Sequence, residues 1–306
     1  MKFKHTIEEL KTKQALPLDM KILMAERRIF DFYSYFCGNV YIAFSGGKDS
    51  TVLLHLARRV FPDIPAVFVD TGLEYPEIRN FALSQENVTV LKPKMLFNKV
   101  VEEYGYPVVS KHISRRIADY RRNPDATWVK KAFNNEYSFN SHNIGKWGFL
   151  KDVPFLISDK CCDIIKKNPC KQYERETGRK PIIGTMTCEG VKRETAWLQN
   201  GCNSFNEGSE KSKPLSFWTE QDILSYLKQT NIMYSPIYGN IATNESGQLF
   251  TTGVNRTGCM FCMFGVQREI YPNRFQRMKQ THPKLYDYCI NKLGCGEVLD
   301  YIEVDY

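Results

Sequence analysis

The sequence predicts an α/β fold built on a doubly wound parallel sheet, and three observations predict it. Apolar runs of strand length recur at Val40–Phe44, Pro65–Val69, Val88–Leu91 and Pro181–Ile183. Helix-periodic segments lie between them, the rhythm of strand–helix–strand units. The first run passes straight into Ser45-Gly46-Gly47-Lys48-Asp49-Ser50, a glycine turn at the mouth of a helix.

In chain order, residues 6–36 read as two helices. Thr6 and Glu9 have capping-box spacing, and Ile22, Leu23, Ile29, Phe30 and Phe32 mark a core-facing stripe. The strand at Val40 and the helix carrying Val52, Leu53, Leu54, Leu56, Ala57 and Val60 follow. The turn between them needs glycines, because the backbone must bend where a Cβ would collide with a ligand. The first helical N–H groups and the positive end of the helix dipole then face an anion. Lys48 adds a charge there, and Asp49 or Ser50 is placed to cap the first turn. The spacing is neither that of a Walker A loop nor that of a dinucleotide turn.

The second strand ends in Asp70-Thr71-Gly72, beside the crevice beyond the strands' carboxyl ends, where open α/β sheets bind ligands. Glu74-Tyr75-Pro76-Glu77 opens another helix, and a third strand at Val88 precedes a helix from Phe97 to Tyr104. Residues 111–150 break the rhythm. Lys111, Arg115, Arg116, Arg121, Arg122, Lys130 and Lys131 stand against Asp119 and Asp125, interleaved with Tyr120, Trp128 and Phe133. Such a stretch suits a nucleic-acid backbone with stacked bases, a nucleotide's extra phosphate, or a solvated helix face. Asn134–Gly148 reads as a loop. The strand at Pro181 is followed by a helix from Glu189 through Trp197, and Thr219 caps one carrying Ile223, Leu224 and Leu227.

The expected organisation is N-terminal helices over 1–37, a nucleotide-binding core of 38–110 and 151–225, a basic insertion of 111–150, and a C-terminal region of 226–306. With 306 residues, 42% hydrophobic, 25% charged and a net charge of +8, the chain is an ordinary globular one with a leaning toward anions. Met1–Arg28 is charged and helix-patterned, and no apolar run approaches a membrane span, so a cytoplasmic protein without membrane partners is expected. A homodimer is compatible with this reading.

In a reducing compartment ten cysteines are read for metal or redox chemistry rather than disulfides. Adjacent Cys161-Cys162 and the Cys259-Met-Phe-Cys262 pair stand out. Adjacent cysteines are awkward ligands for one tetrahedral zinc and suit a cubane, in which each takes a different iron. Zinc and plain buried thiols are the other readings. Cys37, Cys170, Cys188, Cys202, Cys289 and Cys295 lack partners at diagnostic spacing and read as packing residues.

Ser-Gly-Gly-Lys-Asp-Ser resembles the PP-loop of the adenine nucleotide α-hydrolase superfamily, which includes ATP pyrophosphatases, sulfate adenylyltransferase small subunits and the phosphoadenosine phosphosulfate (PAPS) reductase family. Asp70-Thr71-Gly72 is similar to the element after the second strand of those relatives. Pro214 through Ile223 and Ser235-Pro-Ile-Tyr-Gly239 match further family elements that read as architecture. The resemblance runs from about residue 38 to 270, interrupted by the 111–150 segment. It implies an adenine nucleotide α-hydrolase-like core with Ser45, Gly46, Gly47, Lys48, Asp49, Ser50, Asp70, Thr71 and Gly72 around ATP, adenylylsulfate (APS) or PAPS with Mg²⁺. Lys48, Asp49 and Arg193 are its implied catalytic residues. Two departures are present: Met186 stands where relatives carry arginine, and Gly190 where they carry serine. The Cys-Cys and Cys-x-x-Cys pattern resembles the [4Fe-4S] signature of APS reductases, implying Cys161, Cys162, Cys259 and Cys262 as ligands.

The tail reads Gly294-Cys295-Gly296-Glu297, without the Glu-Cys-Gly-x-His of a sulfonucleotide reductase. The intact loop instead implies ATP cleavage between α and β coupled to sulfur transfer, as in DNA phosphorothioation or tRNA thiolation enzymes. Such a protein needs a sulfur donor or reductant as partner, and the 111–150 segment would meet a nucleic-acid acceptor. The alternatives are an APS/PAPS reductase with a diverged nucleophile such as Cys295, and a nucleotide-binding module without turnover.

Overall fold

The computed structural model describes residues 3–139 and 142–306. The chain forms two compact units. The first runs to Asp70 and includes Tyr75–Leu91 and Cys170–Thr257; the second comprises Thr71–Glu74, Lys92–Pro169 and Gly258–Tyr306.

Helices α1 (Ile7–Gln14) and α2 (Leu18–Tyr35) open the first unit, and the Thr6/Glu9 capping box is formed. Of the expected stripe, Ile29 and Phe32 are fully buried, whereas Leu23 and Phe30 point outward. The apolar face of α2 is therefore narrower than the sequence suggested. Lys21 joins it instead, its ammonium buried against both carboxylate oxygens of Asp222 at 2.9 and 2.7 Å.

The first seven strands in chain order are β1 (Val40–Ala43), β2 (Ala66–Val69), β3 (Val88–Leu91), β4 (Val108–Val109), β5 (Lys180–Ile183), β6 (Asn203–Ser204) and β7 (Lys211–Ser212). All but β4 form one six-stranded sheet ordered β3-β2-β1-β5-β7-β6, parallel except for the edge strand β6. The expected doubly wound α/β architecture is therefore present. Val40, Tyr41, Ile42, Ala66, Val67 and Phe68 are almost fully buried, as befits central parallel strands covered on both faces. The chain winds from β1 outward to β3 and then returns to place β5 on the other side of β1. The gap between the ends of β1 and β5 is the topological switch point, where such sheets bind ligands.

The expected domain borders do not coincide with this division. A border at 225/226 cuts the helix Glu220–Thr230, whose Tyr226 and Leu227 belong to the first unit's core with Ile223. Residues 111–150 lie within the longer 92–169 piece of the second unit, where β4 pairs in parallel with a strand at Met263–Phe264. Among the described residues no helix is long and apolar enough to cross a membrane.

Candidate nucleotide site and cysteine cluster

β1 ends two residues before Ser45, and helix α3 (Lys48–Val60) begins directly after Gly47. Gly46 has φ +72°, and a Cβ there would lie 2.9 Å from the Ile78 carbonyl oxygen, so both conformation and space demand glycine. Gly47 is the N-cap, with no side chain capping the turn. The expected capping by Asp49 or Ser50 is thus corrected: the Ser50 hydroxyl turns back to accept from Ser45 N–H at 3.2 Å and to donate to Gly47 C=O at 2.9 Å. Its oxygen also lies 3.0 Å from Ser45 Oγ. These bonds fix the loop from within. Gly184, just past β5, closes the other wall, since a Cβ there would lie 3.2 Å from the Asp49 carbonyl oxygen.

Lys48 is only 4% exposed. Its ammonium contacts Asn255 C=O at 3.1 Å, Glu220 Oε1 at 3.2 Å and Asp49 Oδ1 at 3.4 Å, and lies over the Tyr238 ring. Burial pulls the lysine pKa down, but the two carboxylates outweigh it and the net shift is upward. Burial raises the pKa of Asp49 against the opposing pull of Lys48. Asp49 Oδ1 is sealed from solvent, with the Lys48 ammonium 3.4 Å away as its charged neighbour.

Arg193 ion-pairs with Glu189, which also accepts from Met186 N–H at 2.9 Å and from Arg256 Nη2 at 2.9 Å. The guanidinium read as a free anion ligand is therefore held by a carboxylate in the ligand-free protein. The helix expected from Glu189 starts instead at Val191, because Gly190 at φ +152° breaks it from the short turn Thr187–Glu189. Cys188 on that turn is exposed rather than packed; Asp49, Glu220 and Arg256 are close enough to act on its thiol, whose pKa burial raises. Cys37 is also exposed. Asp70 is gripped by Arg79 through two nitrogens at 2.9–3.1 Å.

In the second unit Thr71 donates its hydroxyl to Glu74 at 2.8 Å, and Gly72 is exposed at φ +74°. The four singled-out cysteines all lie in this unit, near enough for the other three to act on Cys161. Burial raises the Cys161 pKa most, followed by Cys259, Cys162 and Cys262 acting across space. Burial pushes Cys259 up to about 11, opposed by Lys166. Cys262 is raised by burial too, although a backbone N–H and Arg274 pull the other way. Cys162 opens a π-helical turn, Asp163–Lys167, a distortion that favours functional sites. Lys166 on that turn lies 3.9 Å from Glu74 and close enough to Cys259 to act on it; these partners raise its pKa against burial. Among the described residues no three His, Cys, Asp or Glu side chains are placed to hold one metal ion.

The basic stretch forms two helices, Lys111–Arg122 and Thr127–Phe133. Arg115 and Arg122 are exposed and flank Asp119. Arg121 differs: its guanidinium donates to the backbone carbonyls of Leu150, Lys151, Val153 and Phe155 at 2.6–3.2 Å, and so holds the following loop. Arg116 lies over exposed Trp128. The loop read over Asn134–Gly148 gives way to a 3-10 helix at Gly145–Lys151, and its residues 140 and 141 lie outside the described ones.

The phosphoadenosine phosphosulfate reductase domain matches residues 39–112 and 109–264. The chain belongs to the PAPS reductase family. An uncharacterized Methanocaldococcus jannaschii protein is 25% identical over 257 residues, covering 82% of this chain and 46% of that protein, so the chain spans about half of that relative. A PAPS reductase of Vibrio vulnificus is 22% identical over 258 residues, covering 82% of this chain and 83% of the relative. One from Vibrio cholerae is 25% identical over 279 residues, covering 86% and 92%. A solved PAPS reductase from Candida auris, in a phosphate complex, aligns with TM-score 0.41 and 13% identity over 81% of this chain and all of that one. In this PAPS reductase-family chain, sequence reasoning missed Glu220, Tyr238 and Asn255 beside Lys48. Glu220 and Tyr238 stand in the two elements read as architecture. The Lys166/Lys167 to Pro169 run was read as part of the resemblance to the cluster signature, whereas Glu74, 3.9 Å from Lys166, was missed.

Proposed function

We propose that the first unit binds an adenine nucleotide at the Ser45–Ser50 turn and cleaves ATP between its α and β phosphates. The observation that carries this is the turn itself: a glycine-built, serine-locked anion cradle with a buried lysine at the sheet's switch point. An acceptor oxygen attacks the α-phosphorus, the bond to the bridging oxygen breaks, and pyrophosphate leaves. A sulfur nucleophile then expels AMP from the adenylylated acceptor. Lys48 and the loop N–H groups stabilise the charge that grows on the leaving pyrophosphate. Asp49 would help to hold Mg²⁺, and Arg193 exchanges Glu189 for a phosphate.

Cys161, Cys162, Cys259 and Cys262 are read as ligands of a [4Fe-4S] cluster rather than of one zinc, because adjacent cysteines are awkward ligands for a single tetrahedral ion. Four thiols, with Lys166 to offset negative charge, would supply the donor set of a cubane. Such a group, when bound, supplies one-electron chemistry. The exposed Arg115 and Arg122 suit a polyanionic acceptor such as nucleic acid.

A second reading, reduction of PAPS or APS, is favoured by the names of the Vibrio relatives. It requires a thiolate nucleophile, and Cys295 is fully buried, as is the neighbouring Cys289. Anaerobically purified protein, assayed with Mg²⁺ for pyrophosphate from ATP and for sulfite from PAPS, separates the two. Pyrophosphate without sulfite is expected. Sulfite without pyrophosphate would reverse the assignment, and binding without either product would leave a non-catalytic module.

A further inference from the structure

The two Lys48 donors that a phosphate needs are already occupied by the protein's own atoms. Lys48 N–H, at the start of α3, donates to the Tyr238 hydroxyl oxygen at 3.2 Å. That hydroxyl lies 2.7 Å from Thr257 Oγ1, to which its own proton can be given. The Lys48 ammonium donates to the Asn255 carbonyl at 3.1 Å. Tyr238 Oη and Thr257 Oγ1 crowd the loop so closely that a Cβ on Gly47 would lie 3.2 and 3.3 Å from them.

Asn255 and Thr257 belong to one short segment, Gly253–Thr257, which runs along the surface and carries exposed residues at 253, 255 and 256. Its start is fastened by Gly253 N–H to Tyr238 C=O at 2.8 Å and Val254 N–H to Ile237 C=O at 3.1 Å. The approach is tight enough that a Cβ on Gly253 would lie 2.3 Å from the Ile237 carbonyl oxygen. Arg256 fastens the far part to Glu189. The amide thus meets an oxygen of the buried Tyr238, itself joined to Thr257, and the ammonium meets a carbonyl of the thinly buried segment, both oxygens standing where phosphate oxygens would.

We propose that Gly253–Thr257, acting with the Tyr238 hydroxyl, is a built-in phosphate surrogate: a strap that closes the empty cradle and is displaced when a nucleotide's phosphates enter. This rests on the nucleotide reading of the site. The strap keeps Lys48 oriented among Asp49 and Glu220 while the site is empty, and it makes binding of a bare anion compete with internal contacts. Exchange of the surrogate oxygens for phosphate oxygens preserves the number of hydrogen bonds, so entry is limited by release of the strap rather than by loss of satisfaction.

The probe is inorganic pyrophosphate, titrated calorimetrically into the full chain and into Tyr238→Phe and Thr257→Val, each first checked for an unchanged thermal transition. Removing one competing hydrogen bond is expected to tighten pyrophosphate binding about three- to tenfold in both variants. In the wild type, hydrogen exchange at the Gly253 and Val254 amides is expected to accelerate when pyrophosphate binds. Wild-type binding with unchanged or weakened binding in the variants, or slowed exchange at those amides, would overturn the strap and leave the nucleotide site standing. Absence of pyrophosphate and ATP binding in all three proteins would overturn both.

Discussion

Around Lys48 the charges are already paired, whereas around Cys161 like groups crowd together and raise one another's pKa. In the first unit, Asp49 and Glu220 pair with the lysine, Glu189 is shared by two arginines, and Arg79 holds Asp70. In the second, buried thiols face one another, and Lys166 leans toward Cys259. The first arrangement is complete without its ligand and must exchange partners to bind. The second becomes favourable once a cation removes the thiol protons and draws the sulfurs together. One site is expected to survive emptying and the other to be stabilised by filling.

The largest effect expected from this contrast falls on the cysteines. Changing Cys161, Cys162, Cys259 or Cys262 to Ser should abolish the visible thiolate–iron charge-transfer absorption and bound sulfide of anaerobically prepared protein. An equimolar zinc content in the wild type, with no iron, would break the contrast at once.

Next in size is Lys48→Ala. Losing one charge-assisted contact at an oxyanion-type site is worth about 2.7–4 kcal/mol, or about a hundredfold to a thousandfold in pyrophosphate release. A lysine in a surface turn would leave the fold indifferent to this change, but Lys48 is buried between carboxylates. Its removal should therefore also lower the thermal transition, and Glu220→Gln in the same background should restore part of that loss by removing the repulsion with Asp49.

A smaller effect separates the arginines of the basic stretch. Reversing Arg115 and Arg122 should weaken binding to duplex DNA or tRNA and reduce the log–log salt slope by about 2, at roughly 0.9 per phosphate contact. Arg121→Ala should leave that slope alone and lower stability instead, because it strips four carbonyls of their donor. Equal slopes in all three proteins would make the face a solvated one.

The smallest is a pH effect in the first unit. Burial, reinforced by Arg59, lowers the pKa of His55 below its ordinary 6.5, and its ring bonds Tyr226 at 2.8 Å. The folded state thus prefers neutral imidazole. This stability is present above about pH 6.5 and is lost as pH falls through the depressed folded value, since the unfolded chain takes up the proton first. His55→Gln should flatten that part of the pH–stability profile measured by urea unfolding.

What could be read in advance follows the range of the interactions. The Ser45–Ser50 turn is local: its glycines, its following apolar period and its strand lie within some twenty residues, so spacing alone carried it. The alternation of strand and helix carried the sheet for the same reason. The cysteines were legible because pairs keep their spacing even when the pairs are a hundred residues apart. Tyr238 and Asn255 were not, since their link to Lys48 spans about two hundred residues and uses a hydroxyl and a main-chain carbonyl that no side-chain pattern announces. Met186 resolves more simply. It is buried in the core and serves packing here, while Arg256 and Arg193 both meet Glu189.

The most direct test is the identity of the bond broken in ATP. With Mg²⁺ and a panel of nucleic-acid acceptors under anaerobic conditions, ATP labelled in the α position should yield labelled AMP or adenylylated acceptor, with pyrophosphate in equal amount. ADP with inorganic phosphate as the sole products, or ATP recovered intact while PAPS is reduced to sulfite, would contradict the reading of the Ser45–Ser50 turn as an α–β cleavage site.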